Sequence, residues 1–145
     1  MEPLKKYYSP MHSAEHILNQ TMVRLFNCGR SFTHHIEKKK SKCDYHFIRP
    51  LNDMEVNEIE KKINDIIMLD LPITEEFISK QEAMNLFNLD KLPDESGDNV
   101  RIIRIGEYDA CPCIGQHVNS TKEIGNFRII SHSFENEVLR IRFKV

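Results

Sequence analysis

The sequence predicts an α+β fold, with two main helices packed on an antiparallel sheet, and three observations carry this expectation. Residues 11–26 and 54–69 repeat apolar side chains at three- and four-residue steps, the period of a helix with one buried face. Between and after them run short segments rich in isoleucine, valine, phenylalanine and tyrosine, with turn-forming residues at their ends. Several of these segments fall into neighbouring pairs joined by short polar turns, which is how antiparallel strands connect.

Taken in order, residues 1–8 read as an irregular lead-in or a short edge strand. Ser9-Pro10 opens the first helix, proline being tolerated just inside a first turn. Residues 11–26 then align Ala14, Ile17, Leu18, Met22, Leu25 and Phe26 on one stripe. Asn27-Cys28-Gly29 ends the helix, with Gly29 the expected left-handed stop. Residues 31–38 and 43–49 are expected as a strand pair around the turn Lys38-Lys39-Lys40-Ser41-Lys42, with Cys43, Tyr45 and Phe47 alternating against Asp44, His46 and Ile48. Asn52 or Asp53 caps a second helix over 54–69, buried through Ile59, Ile63, Ile66 and Ile67. A strand over 71–78, a short helix over 80–87 and a polar loop over 88–99 follow. The remaining strands are expected at 100–105, 107–110, 126–134 and 138–145, with Asn136 closing the last hairpin.

A chain of 145 residues suits one domain, 1–145, with one core. Hydrophobic content of 40%, charged content of 29% and a net charge of −2 are those of an ordinary soluble protein. They argue against a general nucleic-acid coat protein while leaving room for a local basic patch. The first ten residues hold lysines but no apolar run, so no secretory signal is expected. No stretch approaches the ~20 apolar residues of a membrane helix. A cytoplasmic location follows, in which Cys28, Cys43, Cys111 and Cys113 stay reduced.

The chemistry concentrates in two places. His12-Ser13-Ala14-Glu15-His16 puts two imidazoles one turn apart on the same face of the first helix. A hundred residues downstream, Cys111-Pro112-Cys113-Ile114-Gly115-Gln116-His117 sets a thiol four residues before an imidazole on a Pro/Gly turn. His12, His16, Cys113 and His117 together form the mixed nitrogen and sulfur set that Zn2+ favours. Cys111 is left open as a substitute ligand, a pocket wall or a buried residue. His12, Glu15 and His16 also fit the signature of inverted zinc proteases, in which Glu15 would be the base, although nothing else in the chain supplies a protease framework.

These residues carry a resemblance. His-Ser-Ala-Glu-His at 12–16, Cys-Ile-Gly-Gln-His-Val at 113–118 and Ser-Thr-Lys-Glu-Ile-Gly at 120–125 resemble the editing domain of alanyl-tRNA synthetases. That module is the second additional domain of threonyl- and alanyl-tRNA synthetases, and its freestanding form is called AlaX. The order of elements fits across nearly the whole chain, so the short freestanding type is expected, as a single editing-type domain. The family's common Cys-Gly-Gly-Thr-His becomes Cys113-Ile114-Gly115-Gln116-His117, which keeps the ligands and changes the loop. Lys122 replaces the usual first glycine of the following turn, and Glu15 stands where a neutral residue is common.

The resemblance implies a zinc-dependent trans-editing hydrolase that deacylates mischarged tRNA, with Ser- or Gly-tRNA(Ala) the usual error and Ser-tRNA(Thr) the neighbouring one. A second hydrolytic sieve is useful because a synthetase pocket rejects a near-isostere by only about 10². Zinc lowers the pKa of a bound water to about 7 and polarises a carbonyl, but four protein ligands normally mark a closed structural site. A zinc-binding module of the same fold without hydrolytic activity is therefore the alternative. Ser13 and Gln116 are the candidate substrate contacts. An exposed helical serine and a turn-stabilising glutamine are the plainer readings. Glu15 is the candidate base or ammonium partner, against a solvated face of the helix. The partner is the tRNA acceptor end with its aminoacyl ester, and no obligate protein partner is evident. Lys38, Lys39, Lys40 and Lys42 either meet its phosphates or form a solvated turn. Arg101, Arg104 and Arg128 either reach the RNA or pair with carboxylates.

Overall fold

The computed structural model describes residues 8–87 and 98–145. The expected lead-in, apart from Tyr8, and most of the polar loop at 88–99 lie outside the described residues. The order of elements is α1 (Ser9–Phe26), β1 (Thr33–His35), β2 (Ser41–His46), α2 (Asp53–Met68), β3 (Ile73–Ser79) and α3 (Lys80–Leu86). Then come β4 (Asn99–Ile105), β5 (Asp109–Pro112), a 3-10 turn (Thr121–Ile124), β6 (Arg128–Glu135) and β7 (Val138–Lys144). The fold is α+β. Its antiparallel strands divide into two sheets, ordered β1-β2-β7-β6 and β3-β4-β5.

The core explains the arrangement. Ala14, Ile17, Leu18 and Met22 of α1 meet Ile59, Ile63, Ile66 and Ile67 of α2 over the inward side chains of the four-stranded sheet. Those inward side chains alternate along their strands: Cys43 and Tyr45 on β2, Leu139, Ile141 and Phe143 on β7. α3 covers the smaller sheet by packing Ala83 on Val100 and Ile102.

The ends of the elements have local causes. α2 starts at a capping box in which the Asn52 side chain accepts from the Glu55 N–H at 2.8 Å and Glu55 accepts from the Asn52 N–H at 3.0 Å. α1 stops differently from the expectation. The left-handed residue is Asn27 (φ 56°) and not Gly29, because asparagine also tolerates that region. β5 begins at Asp109, two residues later than expected, because residues 106–108 form the turn from β4. Gly106 has φ 49°, and a Cβ there would meet the Leu71 side chain at 3.2 Å, so both the backbone and the space favour glycine. Asn136 and Glu137, with φ of 53° and 64°, close the β6–β7 hairpin with the handedness that suits two-residue turns.

The 3-10 turn locks the site side of the molecule to α2. The Thr121 hydroxyl accepts from the Leu71 N–H at 2.8 Å and reaches the Ile66 and Ile67 carbonyls at 3.2 and 3.0 Å. It thereby adds a side-chain donor to the end of α2, where these carbonyls otherwise accept only the short-range Leu69 and Asp70 N–H groups. α1 lies against both this turn and β5, so its N-terminal half faces the loop that follows β5.

Candidate metal centre

His12 and His16 of α1 converge with Cys113 and His117 of the loop after β5, their ligand atoms all within 4.8 Å of one another. The His12 and His117 rings stack with centroids 4.2 Å apart, and His16 meets His117 edge-on at 4.4 Å. The rings are also held from behind. His12 Nδ1 donates to the Gln116 carbonyl at 3.1 Å, which turns its Nε2 toward Cys113 Sγ at 3.5 Å. His117 Nδ1 bonds the Ser13 hydroxyl at 3.0 Å, and that hydroxyl accepts from the Val118 N–H at 3.2 Å. Such outer partners fix the tautomer and orientation of ligating imidazoles.

His117 Nε2 is then left buried with no hydrogen-bond partner. Stranding a buried polar atom costs about 1–3 kcal/mol, and a cation among these four donors would satisfy it. The protonation states of Cys113 and His117 agree with that fit. Burial alone would raise the Cys113 thiol, but the neighbouring His117, His12 and His16 rings pull it down to about 3. Burial lowers His117 to about 4. A thiolate and a neutral imidazole at neutral pH are the forms that zinc binds.

Behind His16 lies a buried ionic network that sequence reasoning missed. Arg30 clamps Asp109 with two bonds, of 2.7 and 3.3 Å, and Gln20 donates to the same carboxylate at 2.8 Å. Asp109 Oδ2 lies 3.7 Å from His16 Nδ1. Burial opposes ionisation of Asp109, but His16 and Arg30 hold its carboxyl far below the usual range. His16 is raised well above the ordinary imidazole value against burial, by Cys111 and Asp109. Cys111 sits buried on β5 with Sγ 3.3 Å from His16 Nδ1 and 3.5 Å from Arg30. His16, Asp109 and Cys111 form a second close group, but the Arg30 guanidinium bonds both Asp109 and Cys111. The partners are 79 or more residues apart, beyond the reach of any local pattern in the sequence.

The remaining candidates are placed as follows. Glu15 is only 4% exposed, so it is not on a solvated face. It accepts from Asn19 at 2.6 Å, and its other oxygen lies 3.8 Å from Nε2 of both His12 and His16. Burial works against its charge, yet His16, His34 and His12 lower its pKa on balance. Ser13 is fully buried rather than an exposed helical serine. Gln116 is exposed and joins the site through its carbonyl. Arg101 pairs with Glu75 and donates to the Cys113 and Gly115 carbonyls at 3.1 and 2.7 Å, bracing the ligand loop. Arg104 pairs with Glu76. Arg128 is exposed on β6 and has no ion pair among the described residues.

Comparison with known proteins places this geometry. The profile of the threonyl and alanyl tRNA synthetase second additional domain matches residues 100–141. An alanine–tRNA ligase of Caldicellulosiruptor saccharolyticus is 30% identical over 125 residues, which cover 84% of this chain and 14% of the ligase. That of Methylococcus capsulatus gives the same 30% identity over 125 residues. That of Methanopyrus kandleri is 28% identical over 140 residues, 91% of this chain and 15% of the ligase. The chain thus spans about one seventh of the length of these relatives. No described helix is long and apolar enough to cross a membrane. Over residues 100–141 by its domain profile, and over 84–91% of its length by similarity to these ligases, the chain is thus similar to the threonyl and alanyl tRNA synthetase second additional domain.

Proposed function

We propose that this chain is a zinc-dependent editing hydrolase that cleaves the aminoacyl ester of mischarged tRNA, and that residues 1–145 act as one editing-type domain of the AlaX kind. The observation that carries the reading is the convergence of His12, His16, Cys113 and His117 around an unpartnered imidazole nitrogen. These four residues are the proposed ligands. Zn2+ bound there supplies a Lewis acid beside the ester carbonyl.

The chain's own groups then divide the work. Glu15, ionised and anchored by Asn19, turns its free oxygen toward the histidine pair. It is the proposed base that takes the proton from the attacking water. The water oxygen bonds the carbonyl carbon, the bond to the ribose oxygen breaks, and that oxygen leaves with a proton. Ser13 holds the His117 ring, so its effect on the amino acid is transmitted through that ring. The exposed Gln116 side chain is the proposed direct contact at the rim of the site. Serine or glycine esters of alanine tRNA are the proposed substrates, acting in the cytoplasm.

The test is metal analysis of tag-free protein beside single-turnover deacylation of Ser-tRNA(Ala), Gly-tRNA(Ala) and Ser-tRNA(Thr). Hydrolysis of either alanine-tRNA ester, lost in Cys113→Ala together with the zinc, supports the reading. The four-donor set itself favours a second one, because a site closed by four protein ligands is usual for structural zinc. Stoichiometric zinc with no hydrolysis of any of the three esters would establish that module instead.

A further inference from the structure

Among the described residues, the four-stranded sheet carries helices on one face only. Cys43, Tyr45, Leu139, Ile141 and Phe143 are fully buried beneath α1 and α2. The residues alternating with them, Lys42 on β2 and Arg140, Arg142 and Lys144 on β7, therefore stand on the opposite, outer face. The strand register sets cation against cation there. Lys42 is directly opposite Arg142, and Arg128 of β6 is directly opposite Lys144. Like charges directly opposed across a sheet are destabilising, so the arrangement costs the fold something.

Carboxylates relieve only part of it, through Asp44 near Lys42. Asp44 on this face is already bound by Arg140 at 2.8 and 3.0 Å and by Thr33 at 2.9 Å. Glu135 lies at the far end of β6, opposite Val138. Lys42, Arg128, Arg142 and Lys144 have no ion pair among the described residues. The smaller sheet shows the contrast, since Glu75 and Glu76 of β3 neutralise Arg101 and Arg104. A chain of net charge −2 has thus left one corner of one sheet unneutralised, next to the exposed turn that carries Lys38, Lys39 and Lys40.

We propose that this outer sheet face binds the sugar–phosphate backbone of RNA, as a surface separate from the His/Cys centre. Naming the polymer rests on the proposed function; the charge layout does not. Cations at every second residue of β7, Arg140, Arg142 and Lys144, match a polymer with regularly spaced phosphates. Ser131, which already accepts from Arg142 at 3.3 Å, adds a hydroxyl within the same row. Contacts of this kind position an RNA without reading its sequence.

The experiment measures binding of fluorescein-labelled, non-aminoacylated tRNA by anisotropy across a salt series. It compares the wild type with the triple variant Arg128→Ala/Arg142→Ala/Lys144→Ala and with Arg104→Ala as control. Each phosphate contact contributes about 0.9 to the slope of log K against log salt, so the triple variant should lower the slope by about 2 to 3. Arg104→Ala should leave it unchanged. Relief of the opposed cations should keep the melting temperature of the triple variant at or above that of the wild type, separating lost binding from lost folding. An unchanged slope overturns the inference. So does equal loss of binding to phosphatidylserine vesicles by a protein that does not bind the tRNA. Because the probe carries no ester, a wild type that binds it through this face but hydrolyses nothing supports the inference while refuting the proposed activity.

Discussion

Cutting the Arg30–Asp109 pair from either side should give two different losses of stability. Asp109→Ala removes a fully buried carboxylate and strands a guanidinium whose side chain is 30% exposed, which can turn part of its charge to water. Arg30→Ala strands the carboxylate itself, at 0% exposure, with Gln20 and His16 as its remaining polar neighbours. Breaking one side of a buried pair costs about 3–5 kcal/mol. Asp109→Ala belongs at the lower end of that range and Arg30→Ala at the upper. With a urea m-value of about 2 kcal/mol/M, the midpoints should fall by about 1.5 and 2.5 M. Unfolding should be followed in both zinc-loaded and chelator-treated protein, so that lost metal is not mistaken for a lost ion pair. Replacing both partners with apolar residues, Arg30→Met with Asp109→Leu, should recover most of the loss. The pH dependence has a fixed sign. A carboxyl depressed in the folded state contributes stability above its unfolded value of about 3.9, and that contribution drains away as pH falls toward the folded value. Wild type and Asp109→Ala should therefore converge in acid. Midpoint shifts under about 0.5 M, or the opposite ranking of the two variants, would refute the reasoning, because such values belong to solvated pairs.

Other predictions address the loop, the 3-10 turn and the last hairpin. In chelator-treated protein, alkylation of Cys113 by iodoacetamide should be flat from about pH 5 to 8, since a thiol pulled down to about 3 is already a thiolate throughout. Cys28, raised by burial, should react only toward alkaline pH, and a Cys113 profile climbing toward pH 9 would contradict the geometry. Thr121→Val should cost about 1–3 kcal/mol by chemical denaturation, because the Leu71 N–H loses its acceptor. Glu137→Gly should raise stability by about 1 kcal/mol, since Glu137 holds φ 64° in a turn that favours Asn-Gly; a lowered melting temperature would argue against that account.

Much of the fold was legible where a periodic pattern and a local stop signal coincide. The stripe from Ala14 to Met22 and the Asn52 cap of α2 are of this kind. Errors arose where two residue types compete for one backbone role. Asn27 took the left-handed position expected of Gly29, and Gly106 drew Glu107 and Tyr108 into a turn that displaced β5. The four donors were readable because the residue types themselves are unusual, even with a hundred residues between the halves. The supporting polar network was not. Glu15, Asn19 and Ser13 resemble any polar helix face until they are buried, with Tyr45 bonding Asn19 and Val118 bonding Ser13. Burial of α1 on several sides is a tertiary property that a single amphipathic stripe does not reveal.

The clamped loop between the two downstream ligands has an evolutionary consequence. Arg101 grips the backbone at Cys113 and Gly115, and the Ser13 hydroxyl grips it at Val118, so the segment is secured by main-chain atoms at either end. Ile114, 66% exposed, and Gln116 project their side chains outward from that fastened frame. Mutation at these two positions can therefore reshape the rim of the proposed site while the sulfur and nitrogen beneath stay put, a division that lets the surface drift without dismantling the centre.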